Sequence, residues 1–267
     1  MTRSLRRFAA ALLLSAAFSL PASATSSGVD FTDLWFNPSE SGWGVNLIQQ
    51  YETIFATLFV YGPDNSPRWY VASNLQPFGS NGFTGPLYQT TGPAFSVPWT
   101  GTATPTLVGA MTLEFSGLNA GTLTYVVNGT TVTKQVQRQT WSNNQVSGVY
   151  LGGFSGTSSS CQDPNSNGSV ILFGSATVNH PGVGNTTITL GYENAVGQIL
   201  TCTFTGPYVQ AGRLGSITGT FACSFGAGGP FTLSEIDVTR NGMTARLSGN
   251  DGFCNLNGSF GGIRRSF

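Results

Sequence analysis

The sequence predicts an all-β protein, built as two consecutive antiparallel up-and-down β-barrels or sandwiches that follow a cleaved signal peptide. Runs of β-branched and aromatic residues, bounded by Gly, Asn and Pro, recur along the whole chain, as expected of strands and tight turns. No stretch keeps the apolar spacing of an amphipathic helix. Only 8% of the residues are charged, against about 25% in ordinary proteins, which excludes coiled coils and charged disordered tails.

The shortage of charge also favours closed sheets. Native sheets protect their open edges with lysine and other charged residues, whereas this chain contains a single lysine, Lys134. Closing each sheet into a barrel removes the edges altogether. Barrels are therefore the preferred architecture, and two-sheet sandwiches are the second choice.

Residues 1–24 have the features of a secretory signal peptide. Arg3, Arg6 and Arg7 precede the apolar run FAAALLLSAAFSLP, and small residues at Ala22–Ala24 suit cleavage. The apolar run is too short for a membrane-spanning helix, and no later segment is apolar enough. We therefore expect an exported protein, periplasmic or extracellular, without a transmembrane helix.

Four cysteines follow in the second half of the chain, and an even number in an exported protein indicates two disulfides. We favour Cys202 with Cys223, on strands joined by a short connection, and Cys161 with Cys254, near the two ends of the second half. The other two pairings remain open. Metal binding is not expected, because there is no C-x-x-C pair and His180 is the only histidine.

The composition changes between the two halves of the chain. All five tryptophans lie between Trp35 and Trp141, all four cysteines lie between Cys161 and Cys254, and the polar stretch WSNNQVSG (141–148) separates them. We therefore predict a Trp-rich β domain over 25–143 and a disulfide-stapled β domain over 144–267.

The expected strands follow the β-branched and aromatic runs. The first domain should contain seven, at 43–50, 53–62, 67–74, 83–90, 106–115, 121–128 and 131–139. The second should contain eight, at 147–156, 168–178, 186–193, 198–209, 216–225, 229–238, 244–249 and 255–262.

A short pattern marks the ends of both halves. SGWG (41–44) begins the first expected strand of the first half and Arg138 lies on its last; SGVY (147–150) begins the second half, and Arg264 and Arg265 close it. This arrangement resembles lipocalin and avidin-like barrels. The resemblance implies that an aromatic side chain on the first strand of each half packs beneath an arginine from the end of the barrel.

A longer motif lies in the first half. DLWFNPSESGWGVNLIQQ (33–50), with IFATLFVYGPDNSPRWYVASN (54–74) and GPLYQTTGPAF (85–95), resembles a module of secreted proteobacterial proteins that carry W-x-N-P-x-E-S-G-W-G-x-N. The resemblance implies kinship and export. It implies no activity and no catalytic residue.

The strongest candidate for a functional site is an aromatic and polar group in the same half. Aromatic faces beside amide and carboxylate groups suit stacking on sugar rings or closure over a small ligand. We therefore predict a non-catalytic protein that binds a small or glycan-like ligand. The residues are Trp35, Asn37, Glu40, Trp43, Asn46, Trp69 and Tyr70. The alternative is that Trp43 and Trp69 fill a core, Asn37 sets a turn, and Glu40 caps or pairs locally, for example with Arg68.

Other functions have weaker support in the sequence. A secreted hydrolase would use Glu40, but no second carboxylate is specified for it, and His180 lies in a turn-like segment. DPNSNG (163–168) begins like a calcium loop but lacks the later glutamate. A structural or adhesive surface module is the third possibility. No cofactor, metal or nucleic-acid partner is expected, and the oligomeric state is left open.

Overall fold

The computed structural model describes residues 29–194 and 196–265; the expected signal peptide lies outside them. Sixteen strands form two closed antiparallel barrels of eight strands each, in sequence order. The first barrel contains β1 Asp33–Phe36, β2 Gly44–Gln50, β3 Thr53–Tyr61, β4 Pro67–Phe78, β5 Gly82–Thr91, β6 Thr104–Phe115, β7 Gly121–Val127 and β8 Thr130–Arg138. The second contains β9 Gly148–Ser159, β10 Gly168–Asn179, β11 Asn185–Glu193, β12 Ile199–Ala211, β13 Leu214–Cys223, β14 Gly228–Val238, β15 Gly242–Asn250 and β16 Asn255–Arg264.

Each barrel closes between its first and last strands. In the first barrel β1 pairs with β8, where Trp35 lies opposite Arg138. In the second, β9 pairs with β16, where Tyr150 lies opposite Arg264. The predicted all-β fold is thus confirmed as barrels, not sandwiches; the described residues hold one 3-10 turn, Pro164–Ser166, and no α-helix.

The first barrel has one strand more than the sequence predicted. All seven expected strands are present, but β1 (Asp33–Phe36) precedes them and completes the barrel. It is only four residues long, and the segment that follows it, NPSESGW, forms a loop. SGWG therefore does not open the first strand. In the second half, all eight expected strands are found.

One end of the first barrel is sealed by an aromatic side chain beneath an arginine. Trp35 is fully buried, and the Arg138 guanidinium lies 4.9 Å from the centre of its ring. The Trp35 indole N–H donates to the carbonyl of Phe31 at 3.0 Å. Arg138 Nη1 donates to the carbonyl of Thr32 at 3.2 Å. The arginine was predicted correctly, whereas the aromatic partner is Trp35 and not Trp43.

The second barrel is sealed by the same arrangement. The Arg264 guanidinium lies 5.1 Å from the centre of the Tyr150 ring. The Tyr150 hydroxyl donates to the carbonyl of Val146 at 2.8 Å, and Arg264 Nη1 donates to the carbonyl of Ser147 at 3.1 Å. These carbonyls precede the aromatic residue by four and three positions, as Phe31 and Thr32 do in the first barrel. We call this unit the aromatic–arginine clasp.

Both disulfides lie at the opposite end of the second barrel from its clasp. Cys202 and Cys223 are direct register partners on β12 and β13. Cys161, just after β9, bonds to Cys254, just before β16. This is the pairing that the sequence favoured, and it ties the first and last strands of the barrel together where they separate.

The two barrels are joined at their sealed ends. The Asp33 carboxylate, which pairs with Arg138 in the first clasp at 3.2 Å, also accepts the backbone N–H of Arg213 from the β12–β13 turn at 3.0 Å. The Arg213 Nε donates to the carbonyl of Thr32 at 3.3 Å. Gly212 has a φ of +60°, and a Cβ there would collide with the Asp33 carboxylate.

The connecting segment is also held in place by hydrogen bonds. Asn144 Nδ2 donates to the Tyr208 hydroxyl at 3.0 Å and to the carbonyl of Arg213 at 2.8 Å. Its backbone N–H donates to Gln210 Oε1 at 2.8 Å. The polar composition of 141–148 therefore serves specific contacts with the second barrel.

Among the described residues, no helix is long and apolar enough to cross a membrane.

Candidate functional site

The open end of the first barrel forms the candidate site, which we call the first mouth. It lies at the end opposite the clasp, where the loops 37–43, 62–66, 92–103 and 128–129 connect the strands. A cavity of about 640 Å³ opens there. Below it the barrel is filled by fully buried side chains, among them Leu58, Leu87 and Leu123. The first barrel can therefore hold a ligand only near its mouth.

Tyrosine and amide side chains line the first mouth. Tyr70 on β4, Gln89 on β5 and Tyr125 on β7 all contribute to the cavity wall. Most of each tyrosine side chain is buried, and within the described part of the chain neither hydroxyl, nor the Gln89 amide, makes a hydrogen bond. Neither hydroxyl is among the fully enclosed polar atoms that lack a partner, so both are open to the cavity. These three groups are thus available to a molecule that enters the cavity.

The remaining wall is of mixed character. Val60 and Val132 supply apolar surface, and Arg68 lies at the rim. The Arg68 guanidinium pairs with Asp64 at 3.1 Å, and both side chains are substantially exposed. Such an exposed pair contributes little to stability. It does place a positive and a negative group at the entrance.

Glu40 reaches across the seam between β1 and β8. Its carboxylate pairs with Lys134 on β8, with Nζ 2.8 Å from Oε2, and accepts the Trp43 indole N–H at 3.0 Å. Lys134 Nζ also lies 6.0 Å from the centre of the Trp43 ring. Backbone pairing between β1 and β8 covers only two residue pairs. The Glu40 contacts therefore fasten the loop that follows β1 to the wall of the barrel.

These contacts determine the ionisation of Glu40. The hydrogen bond from Lys134 holds the pKa of Glu40 below its ordinary value, and the Trp43 hydrogen bond and the Lys134 charge act in the same direction. A glycosidase acid needs a raised pKa. The environment of Glu40 thus suits an ionised carboxylate and opposes a role as a general acid.

Tyr125 is influenced by the same group. Burial raises the pKa of Tyr125, and the nearby negative charge of Glu40 raises it further. Its hydroxyl therefore stays protonated at neutral pH and can donate a hydrogen bond.

The residues predicted from the sequence do not form one cluster. Glu40, Trp43 and Tyr70 lie at or beside the first mouth. Trp35 belongs to the clasp at the other end of the barrel. Trp69 and Asn46 point outward from β4 and β2, and 53% of Trp69 is exposed.

Asn37 has a local role. Its side-chain oxygen accepts the backbone N–H of Ser39 at 2.9 Å, and its carbonyl accepts the N–H of Glu40 at 3.0 Å. It therefore shapes the turn that presents Glu40. Arg68, the example given for a local partner of Glu40, pairs with Asp64 instead, and Glu40 pairs with Lys134.

Sequence reasoning missed Gln89, Tyr125 and Lys134. All three lie on strands that were predicted, on the face that alternation directs into the barrel. One feature of the sequence could have indicated the Glu40–Lys134 pair. Lys134 is the only lysine of the chain, and it occupies an inward position of β8. An inward charge in a small barrel needs a partner, and Glu40 was the acidic residue of the neighbouring motif.

Two other sequence candidates have ordinary surroundings. His180 Nδ1 lies 2.9 Å from the Thr186 hydroxyl, and its ring packs edge-on against Tyr208. In DPNSNG, Asp163 Oδ1 accepts the backbone N–H of Asn165 at 3.0 Å, which is an ordinary side-chain turn. Within residues 29–194 and 196–265, no group of three or more His, Cys, Asp or Glu could hold a metal ion.

The comparisons with known proteins add no family to this description. No protein-family model matches the chain, and no curated protein matches its sequence. The function must therefore be argued from the geometry of the two barrels.

Proposed function

We propose that the protein is an exported, non-catalytic β protein that binds a small polar or glycan-like ligand in the first mouth. The observation that carries the proposal is the group of Tyr70, Gln89 and Tyr125, whose polar atoms face a cavity of about 640 Å³ without a partner among the described residues. Hydroxyl-rich ligands offer both donors and acceptors to such groups. The phenol rings add flat apolar faces against which a sugar ring can pack.

The covalent structure supports the proposed compartment. Two disulfides are typical of proteins in oxidising environments outside the cytoplasm. The signal-peptide features of residues 1–24 support the finer proposal that the chain is exported to the periplasm or beyond.

The test is a panel of mono- and oligosaccharides titrated against the full chain, with intrinsic tryptophan fluorescence as the readout. Trp43 lies beside the mouth through its bond to Glu40, so we expect its emission to change when a ligand binds. A Trp43→Phe variant should lose this change, whereas Trp69→Phe, altered on the outer face, should keep it.

Single-atom variants then locate the site. Tyr70→Phe and Tyr125→Phe each remove one hydroxyl, and each should weaken binding by about tenfold, the worth of one hydrogen bond. Tyr51→Phe is the matched control, because Tyr51 is 89% exposed in the turn after β2, at the other end of the barrel. A panel without any saturable response, or equal losses in Tyr51→Phe and Tyr125→Phe, would reject the proposal.

A further inference from the structure

The second barrel is hollow at the end that carries its disulfides, which we call the second mouth. A cavity of about 260 Å³ lies there, bounded by apolar side chains and by three of the four cysteines. A smaller pocket of about 50 Å³ continues it towards the middle of the barrel. Phe154, Leu190, Phe204 and Leu247 line both spaces, so the two are adjacent apolar spaces inside the barrel.

Rigid groups form the wall of this cavity. Phe204 and Phe221 stack with their ring centres 4.9 Å apart, and Phe231 meets Phe204 edge-on at 5.0 Å. The Cys202–Cys223 bridge joins neighbouring strands beside them. Aromatic rings and disulfides have few conformations available. These groups therefore stiffen part of the cavity wall.

The cavity contains few polar groups. The Ser158 hydroxyl is occupied, because it donates to the carbonyl of Ser166. The Tyr192 hydroxyl has no partner among the described residues. Asp251 is the one charged residue of the lining. Its Oδ1 accepts the backbone N–H of Phe253 at 2.8 Å and that of Cys254, so it also shapes the turn at the rim.

We propose that this cavity is a second binding site, which takes a small neutral apolar molecule carrying one polar group. The aromatic and aliphatic wall provides the apolar contacts, and the Tyr192 hydroxyl provides one hydrogen bond. The carboxylate of Asp251 at the rim disfavours anionic ligands. The site is distinct from the first mouth in place and in chemistry, since the barrels are joined at their sealed ends and their mouths lie at opposite ends.

The experiment uses the full chain with both disulfides formed and N-phenyl-1-naphthylamine, a neutral apolar probe whose emission rises in an apolar site. We expect saturable binding. Leu172→Trp places a large side chain into the cavity from β10 and should raise the dissociation constant at least about tenfold. Ile171→Trp is the matched control, because Ile171 is the preceding residue on the same strand and is exposed on the outer face. It should change binding by no more than roughly twofold.

A second variant tests whether the loss of binding comes from filling the cavity and not from a folding defect of Leu172→Trp. Leu256→Trp fills the cavity from β16, near the mouth, and should give the same loss as Leu172→Trp. The anionic analogue 1-anilinonaphthalene-8-sulfonate should bind about tenfold more weakly than the neutral probe, because its charge meets Asp251. Tyr125→Phe should leave probe binding unchanged, which separates this site from the first mouth.

The outcomes that overturn the proposal are equally definite. No saturable binding of the neutral probe by the folded protein would overturn it. So would wild-type affinity in both Leu172→Trp and Leu256→Trp, since the probe would then bind elsewhere. Equal affinity for the neutral and anionic probes would overturn the assigned ligand class.

Discussion

The two barrels share one closing device but are stabilised differently. Each has a clasp in which an arginine from the last strand covers an aromatic residue of the first, Arg138 over Trp35 and Arg264 over Tyr150. The first barrel is filled with large side chains from its clasp almost to its mouth. The second leaves its far end hollow and secures it with two disulfides. Covalent bonds thus replace packing where the second barrel keeps an internal space.

The clasps themselves differ at one position. Asp33, two residues before Trp35, pairs with Arg138, whose side chain is fully buried. The corresponding residue before Tyr150 is Gly148, which supplies no carboxylate. Arg138 Nε donates to the carbonyl of Leu118 at 2.6 Å, whereas the buried Arg264 Nε has no partner in the described chain. The first clasp is therefore the more completely satisfied of the two.

The largest expected effect on stability comes from removing the disulfide that joins the first and last strands at the second mouth. The Cys161–Cys254 bridge closes a loop with a sequence separation of 93 residues. Its removal in a Cys161→Ser/Cys254→Ser variant should lower the free energy of unfolding by about 4–5 kcal/mol on a chain-entropy basis. Urea unfolding followed by circular dichroism should show an early transition of the second barrel.

Tryptophan fluorescence supplies the internal control for this variant. Four of the five tryptophans lie in the first barrel and its loops, and Trp141 lies in the connecting segment. Their emission therefore reports mainly on the first barrel, and its transition should stay where it is. The Cys202–Cys223 bridge has a separation of 21 residues, and its removal should have the smaller effect, about 3 kcal/mol. A common shift of both transitions would show that the barrels unfold as one unit.

The second-largest expected effect is a difference in stability between variants of the two clasps. Arg138→Met leaves Asp33 without its charged partner in a buried place, and should lower the stability of the first barrel by about 3–5 kcal/mol. Arg264→Met removes bonds to backbone carbonyls from a less buried site and should lower the stability of the second barrel by about 1–2 kcal/mol. Urea titrations of both variants would measure this difference. Equal losses would mean that Asp33 adds nothing to the first clasp.

The smallest effect concerns the first mouth, which is held by a charge pair. The pKa of Glu40 lies below the ordinary 4.5 in the folded protein, mainly because of the Lys134 hydrogen bond. The Glu40–Lys134 pair therefore stabilises the folded protein at pH values above the ordinary pKa of Glu40. This stabilisation is lost as the pH falls through the pKa of Glu40 in the folded protein. A Lys134→Met variant should raise the pKa of Glu40. An NMR titration of the Glu40 side chain would measure it, and an unchanged midpoint would remove Lys134 as the cause.

Much of the fold could be predicted from the sequence because barrel strands alternate and their turns are marked by Gly, Asn and Pro. The low charge correctly favoured closed sheets over open ones. The strand β1 was missed because four residues give no alternation to recognise. Because β1 was missed, the first strand was expected to begin at SGWG, whose aromatic residue is Trp43. The aromatic residue of the first clasp was therefore predicted wrongly, whereas Arg138 was predicted correctly. In the second half, where β9 is long, both Tyr150 and Arg264 were in the predicted pattern.

The sites were harder to predict than the strands. Trp69 and Tyr70 are neighbours in sequence, yet alternation directs Trp69 outward and Tyr70 into the first mouth. Gln89 and Tyr125 meet Tyr70 only after several strands have paired in register. The hollow end of the second barrel depends on how side chains from most of its eight strands fill one space. No local pattern carries that information.

The junction between the sealed ends has a consequence for motion. Asp33 and the Arg213 backbone meet at the end of the first barrel that its clasp closes, so the barrels contact each other through closed ends and not through their mouths. Segments with few buried neighbours open locally at low free energy, and those segments are the loops at the two mouths. We therefore expect amide hydrogen exchange to be faster in the loops of both mouths than at the junction.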